Sequence, residues 1–203
     1  MKVAIIGAGN VGKALATSIT NAGHEVTFAA KNSGNARAAA DEIGTSSADS
    51  SAAAVVGADV VILAVPYAAG AQVADDIRDA VAGKTIIDVT NPLTPDYSGL
   101  ATTDTSAAEE LQLRLPDASV VKAFNTIFAG NQANPTRQID GYIAADDPKA
   151  KQEVMSLVES MGFTALDVGP LSSARYLEGM AYVNIGLNAQ NGWSWTSAWH
   201  LER

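Results

Sequence analysis

An α/β fold, with helices wound on both faces of a mostly parallel sheet, is the architecture this sequence predicts, and three observations predict it. Short apolar runs rich in Val, Ile and Leu alternate with stretches of helical spacing almost from end to end. Those runs are continuous rather than alternating, as strands covered on both faces require. Gly, Pro, Asn or Ser stands where one element stops and the next begins.

Taken in order, strands are expected over 2–6, 25–29, 59–65, 85–89, 120–124, 141–145 and 164–168. Helices are expected over 11–21, 35–43, 69–81, 106–113, 148–161 and 172–188. The first helix repeats Val11, Leu15 and Ile19 on one face and closes at Gly23. Pro148 stands at a helix start, where its missing N–H costs little. No repeat, linker or change of composition divides the chain. Residues 1–203 are therefore expected to form one domain, with 172–203 as a C-terminal helix and tail packed on it.

Composition removes several classes of function. Hydrophobic residues make up 47% and charged residues 17% of the 203, which is a globular balance. A net charge of −9 repels phosphate backbones, so neither nucleic acid nor an anionic membrane is an expected partner. There is no cysteine, and His24 and His200 are the only histidines, so no metal site is expected. The longest apolar run, 58–69, contains Asp59 and Pro66 and falls short of a membrane span. The first residues are too short and glycine-broken for a signal peptide, and a cytoplasmic location is expected.

Gly7-Ala8-Gly9-Asn10-Val11-Gly12 matches G-x-G-x-x-G, directly after the first strand and directly before the first helix. In that context Gly7 permits the tight turn, Gly9 lets a pyrophosphate approach the backbone, and Gly12 lets helix and strand pack closely. The N–H groups at the helix start, from Asn10 and Val11 onward, face the phosphates. The class is therefore a Rossmann-type NAD(P)-binding fold. An NAD site usually carries an acid at the end of the second strand, about 20 residues on. Here the chain reads Ala30-Lys31-Asn32-Ser33, with no acid. Lys31 taken alone reads as a solvated loop residue; beside the missing acid it suits a 2′-phosphate, with Asn32 and Ser33 as hydrogen-bonding neighbours. NADP(H) is the expected cofactor.

Ligands in doubly wound sheets lie beyond the carboxyl ends of the strands. Val65-Pro66-Tyr67, Thr90-Asn91-Pro92-Leu93 and Ala123-Phe124-Asn125-Thr126-Ile127 are the segments that fall there. Each alone is ordinary strand-ending turn chemistry; three around one crevice suggest a lined pocket.

The segments VILAVPY, DVTNPL, VVKAFNTI and DVGPLSSARYLEGM resemble the NADP oxidoreductases that depend on the deazaflavin coenzyme F-420. They are similar as well to the oxidoreductase domain of the six-transmembrane epithelial antigen of prostate metalloreductases. The resemblance runs in order from the glycine loop to about Met180. It implies pyrophosphate contacts at Gly7, Gly9, Asn10 and Val11, and a 2′-phosphate contact at Lys31. It places Val65, Pro66, Tyr67, Asn91 and Pro92 along the ribose and nicotinamide, and the backbone near Ala129 at the carboxamide. Asn125, with Tyr67, would face the hydride-transfer crevice, while Gly169-Pro170-Leu171 and Arg175 would frame the second cofactor. Ala8, Ala30 and Asn125 stand where those enzymes often carry threonine, serine and, in some, histidine.

The implied reaction moves a hydride between NADPH and a deazaflavin or a flavin such as FMN or FAD. Such a transfer relies on positioning more than on a protein acid or base. Neither histidine is well placed for catalysis, and no tyrosine has a lysine four residues on. Trp193, Trp195 and Trp199 are expected to anchor the tail or a partner subunit. Met180, Val183 and Leu187 are expected as core or dimer contacts. Two other functions fit the same loop: an imine or carbonyl reductase related to pyrroline-5-carboxylate reductase, and an NADP-binding redox sensor without turnover.

Overall fold

The computed structural model describes residues 1–133 and 138–202. Arg203, the end of the expected tail, lies outside them. One eight-stranded sheet runs through the molecule in the order β3-β2-β1-β4-β5-β6-β7-β8. Its strands are β1 (Lys2–Ile6), β2 (Glu25–Ala29), β3 (Ser46–Ser47), β4 (Val60–Leu63), β5 (Thr85–Asp88), β6 (Ser119–Lys122), β7 (Asp140–Ala145) and β8 (Thr164–Asp167). The pairings from β3 through β6 are all parallel. Strand β7 joins β6 antiparallel and β8 joins β7 parallel, so the last two strands run against the first six.

Strand β1 is central because both its faces are apolar. Val3 and Ile5 face one layer, where helices α1 (Asn10–Asn21), α2 (Ser33–Ile43) and α7 (Pro148–Ser160) contribute Leu15, Ile19, Ala36, Val154 and Leu157. Ala4 and Ile6 face the other, where α3 (Ser51–Val56), α4 (Tyr67–Ile77) and α5 (Ala107–Arg114) contribute Val55, Ala74, Ile77 and Leu111. The chain leaves β1 toward β2 and returns to β4 on its other side. That reversal opens a crevice at the carboxyl ends of β1 and β4.

The expected boundaries shift at several ends. Helix α1 begins at Asn10, α2 at Ser33 and α4 at Tyr67, each earlier than periodicity suggests. The short strand β3, helix α3 and helix α6 (Ala129–Ala133) were not expected. Each has at most six residues, too few to show a period. Helix α3 starts because the Ser50 side chain accepts the Ala53 N–H (3.2 Å). The last helix, α8 (Ala174–Asn191), is preceded by a 3₁₀ turn over Leu171–Ser173 and stops at Gly192 in the left-handed conformation.

The tail beyond α8 folds back over the chain. Asn131 donates to the carbonyls of Thr196 and Ser197, and Leu201 N–H donates to Asp140. Trp199 packs on Tyr142 and Leu177, whereas Trp193 and Trp195 stay about half exposed, Trp195 edge-on to Phe128. Val183 and Leu187 are exposed on α8 and take no part in the core, contrary to one of their two expected roles. Among the described residues no helix is long and apolar enough to cross a membrane.

Candidate functional site

The glycine loop is built by steric necessity at two positions and left open at the third. Gly7 has φ +121°, and a Cβ there would lie 2.1 Å from the Ala64 carbonyl oxygen. A Cβ on Gly12 would lie 2.0 Å from the Gly7 carbonyl oxygen. Around Gly9 nothing stands within 4 Å, so the surface there is free to receive a ligand group. Gly9 is also the N-cap of α1 and offers no side chain to its N–H groups; the first turn contains no acid. Bare amides, a positive dipole end and an open approach together fit a pyrophosphate.

At the end of β2, Lys31, Asn32 and Ser33 are exposed around a shallow surface with Ala30 and Asn35. Asn32 caps α2, its Oδ1 accepting the Gly34 N–H (2.9 Å), so only its NH₂ is left for a ligand. The exposed Lys31 ammonium and the α2 start lie side by side, a setting for a phosphate monoester.

The remaining expected residues divide between two clefts instead of sharing one crevice. Val65 and Tyr67 line a cleft between α4 and α5 with Asp88, Thr90, Glu110 and Arg114. Tyr67 donates to Glu110 Oε2 (2.7 Å). Its phenol is pushed up to about 12, by burial first and then by the Glu110 hydrogen bond and charge, so it holds its proton. Pro66 sets the start of α4. Asn91, Asn125 and Ala129 line a second cleft with Val11, Phe124, Phe128, Gln132, Ala181 and Asn184. Pro92 is buried beside Asn91. This second cleft adjoins the start of α1 through Val11.

Asn91 and Asn125 clamp the ends of β5 and β6 together. Asn125 Nδ2 donates to Asn91 Oδ1 (3.0 Å) and to the Leu177 carbonyl (3.0 Å), and Asn91 Nδ2 donates to the Asn125 carbonyl (3.1 Å). Phe124, just before, is buried with φ +62°, a conformation that a residue with a side chain adopts only when its surroundings hold it there. Among the described residues, none of those lining this cleft is acidic, basic or phenolic.

Three of the segments that carry the family resemblance meet in a cluster that local sequence does not show. Lys122, Asp88 and Glu178 form a buried ion cluster at the carboxyl ends of β5 and β6. Lys122 Nζ lies 2.8 Å from Asp88 Oδ2 and 2.8 Å from Glu178 Oε1, and 2.5 Å from the Thr90 carbonyl. Asp88 also accepts from Thr90 N–H and Oγ1, and Glu178 accepts the Ala107 N–H at the start of α5. Burial alone would lower the ammonium, but Asp88 and Glu178 outweigh it and hold Lys122 above its ordinary value. Burial pushes the Glu178 carboxyl up, against the pull of Lys122. The signal was available: Asp88 and Lys122 are charged residues inside two expected strands, 85–89 and 120–124, that are otherwise mostly apolar.

Arg175, expected beside a second cofactor, is paired with a carboxylate and stays partly exposed. Its guanidinium makes a two-pronged pair with Glu109 (2.6 and 2.7 Å), and that pair, first of all, holds the Glu109 carboxyl down. Gly169, at φ +99°, accepts from Lys151 Nζ through its carbonyl, and Leu171 N–H donates to Asp146.

The comparisons with known proteins decide the family. Residues 2–92 match the family model described as NADP oxidoreductase coenzyme F420-dependent. The F420-dependent NADP reductase of Methanothermobacter marburgensis is 32% identical over 94% of this chain and 94% of its own length. This chain belongs to that family. The rat metalloreductase STEAP3 is 34% identical over 87% of the chain, which spans only 36% of that longer protein. A structure from Arthrobacter sp. FB24, provisionally designated an F420-dependent NADP reductase, superposes with a TM-score of 0.91 at 26% identity over the whole of both chains. Imine and pyrroline-5-carboxylate reductase structures also superpose, but at 20% identity or less the likeness is one of fold alone.

Proposed function

We propose that this oxidoreductase binds NADP(H) across the carboxyl ends of β2, β1, β5 and β6, and exchanges a hydride between it and a deazaflavin of the F-420 type. The observation that carries the reading is the second cleft: it adjoins the phosphate-binding helix start, and its described lining residues include no titratable side chain. Bound together, a nicotinamide and a deazaflavin supply hydride transfer from one ring carbon to another, with the accompanying proton drawn from water. The chain's part is positional. Gly7, Gly9 and Gly12 shape the approach to the phosphates, Asn10 and Val11 offer amides, and the Asn91–Asn125 clamp fixes the cleft wall. Pro92 and Ala129 border the ribose and ring, and Val65, Pro66 and Tyr67 stand at the neighbouring cleft.

A carbonyl or imine reductase needs a proton donor beside the nicotinamide. Among the described residues the second cleft offers none, and Tyr67 is committed to Glu110 in the other one. Mixing purified protein with NADPH and either a deazaflavin, FMN or FAD in a stopped-flow instrument tests the reading. Rapid oxidation of NADPH by the deazaflavin is expected. Turnover with an imine instead, or with no acceptor at all, would favour the reductase or the redox sensor.

Lys31→Glu tests the cofactor choice. Loss of a charge-assisted contact and gain of a repulsive one are expected to weaken NADPH by roughly ten- to a hundredfold while sparing NADH. Equal losses for both dinucleotides would remove Lys31 from the 2′-phosphate. We further read 1–203 as one nucleotide-binding unit. The exposed Tyr176, Val183 and Leu187, which share a face of α8, suit a dimer contact.

A further inference from the structure

The buried ammonium of Lys122 has three N–H donors and spends all three: on Asp88 Oδ2, on Glu178 Oε1 and on the Thr90 carbonyl. The side chain is fully buried and lines neither cleft, so it offers no surface to a cofactor. What it holds, however, is continuous with the wall of the second cleft.

The Thr90 carbonyl belongs to the peptide that joins Thr90 to Asn91, so Lys122 grips the backbone from which the Asn91 amide extends. Asp88 fixes the same turn from its other side, accepting from the Thr90 N–H and Oγ1. Glu178 follows Leu177, and the carbonyl between them is the one that accepts from Asn125 Nδ2 (3.0 Å). Lys122 itself closes β6, and Asn125 stands just beyond that strand. One ammonium thus reaches every part of the clamp, namely Asn91, Asn125 and the Leu177 carbonyl, across a few covalent bonds each. Between Lys122 and Asn125 lies Phe124, buried at φ +62°. Such a conformation persists when the surroundings over-determine it; here the ion cluster pins one flank and the clamp pins the other.

A buried ion cluster is a poor source of stability, since apolar side chains of similar volume often do as well or better. What apolar packing lacks is direction. Charge-assisted hydrogen bonds from one nitrogen set their acceptors at fixed distances and angles. Hydride transfer between two rings depends on such fixity, because the reacting atoms must stay in near-attack contact.

We propose that Lys122 is a positioning residue for the hydride transfer, its ammonium fixing Asn91, Asn125 and the Phe124 turn as a rigid wall of the second cleft. This rests on the reading that the transfer takes place in that cleft. The phosphates of the dinucleotide are assigned to the glycine loop on other strands. Affinity for NADPH is therefore carried elsewhere, and the rate is what depends on Lys122.

A double-mutant cycle on the full chain tests this. Rates would be read in single turnovers of NADPH with the deazaflavin, and affinities by tryptophan fluorescence, at a temperature well below each variant's melt. Lys122→Met is expected to slow hydride transfer by about ten- to a hundredfold, while the NADPH dissociation constant stays within about threefold of wild type. Asn91→Ala removes one arm of the clamp and is expected to slow the transfer as well. The double variant is expected to be little slower than the worse of the two, because both act through one wall. Should Lys122→Met fail to fold, Glu178→Gln enters the same cycle; it keeps an oxygen for Lys122 and is expected to cost about three- to tenfold in rate.

Losses that multiply in the double variant would overturn the proposal, as would a folded Lys122→Met with the wild-type rate. A loss of rate matched by an equal loss of affinity would overturn it too, leaving Lys122 a support of the fold alone. Wild type that binds NADPH but reduces no deazaflavin would instead remove the transfer reading of the cleft, and the proposal with it.

Discussion

Replacing Lys122 by methionine is expected to destabilise the protein by about 3–5 kcal/mol, as removal of one member of a buried ion cluster does elsewhere. The cation is fully buried between Asp88 and Glu178, which are themselves buried. Methionine fills much the same volume, so the loss is electrostatic rather than a cavity. Two carboxylates would face each other without a counter-charge, and the Thr90 carbonyl would lose its donor. Denaturant unfolding of the two proteins measures the difference. Adding Glu178→Gln to the methionine variant is expected to recover part of it, because one uncompensated charge disappears.

The cluster also fixes how that deficit varies with pH. Glu178 is held above its ordinary value in the folded protein, chiefly by burial. Its contribution is therefore most favourable below the ordinary carboxylate range and declines as pH rises through the raised value. Lys122, also held above its ordinary value, contributes fully at neutral pH and loses its effect only in strong alkali. Without Lys122 the pull that restrains Glu178 is gone, and its carboxyl rises further. The gap between variant and wild type should accordingly be smallest in mild acid and widen toward neutral pH. A gap that shrank instead would mean that the carboxylates find other partners.

Much of the fold was legible because its signals are local. An apolar β1 followed by a glycine loop can be read from the first dozen residues, and Gly7 and Gly12 each answer a close backbone contact. The seven longer strands were read from apolar runs, and only β3, two residues long, carries none. The candidate site was legible as segments and opaque as geometry. Asn91 and Asn125 are 34 residues apart, and nothing local says that their amides meet. Tyr67 and Asn125 were expected to share a crevice, but α4 carries Tyr67 toward α5 and Glu110, and the β6 end carries Asn125 toward α8. The ion cluster was missed for a related reason. A single charged residue inside an apolar run does not say what it faces, and only the register of β5 on β6 shows Asp88 and Lys122 side by side. Glu178 arrives from a helix 56 residues later.

The glycine loop yields the sharpest contrast between a residue the fold requires and one the ligand requires. Gly12→Ala would put a methyl carbon 2.0 Å from the Gly7 carbonyl oxygen and 3.1 Å from its carbon, both of them backbone. No rotamer relieves that contact, so α1 must move away from β1, at a cost of about 1–3 kcal/mol or more. The move carries off the amides of Asn10 and Val11, and binding of NADPH is expected to fall below detection. Gly9→Ala meets nothing within 4 Å in the protein. Its melting temperature should stay close to that of wild type, while the added methyl group occupies the space through which a pyrophosphate would approach. A loss of NADPH affinity of roughly tenfold or more is expected there with the fold intact. Paired melting and titration experiments on the two variants separate the effects. Were Gly9→Ala to bind NADPH as wild type does, the phosphates would have to lie elsewhere, because the open surface above Gly9 is what distinguishes this loop from a turn that merely packs.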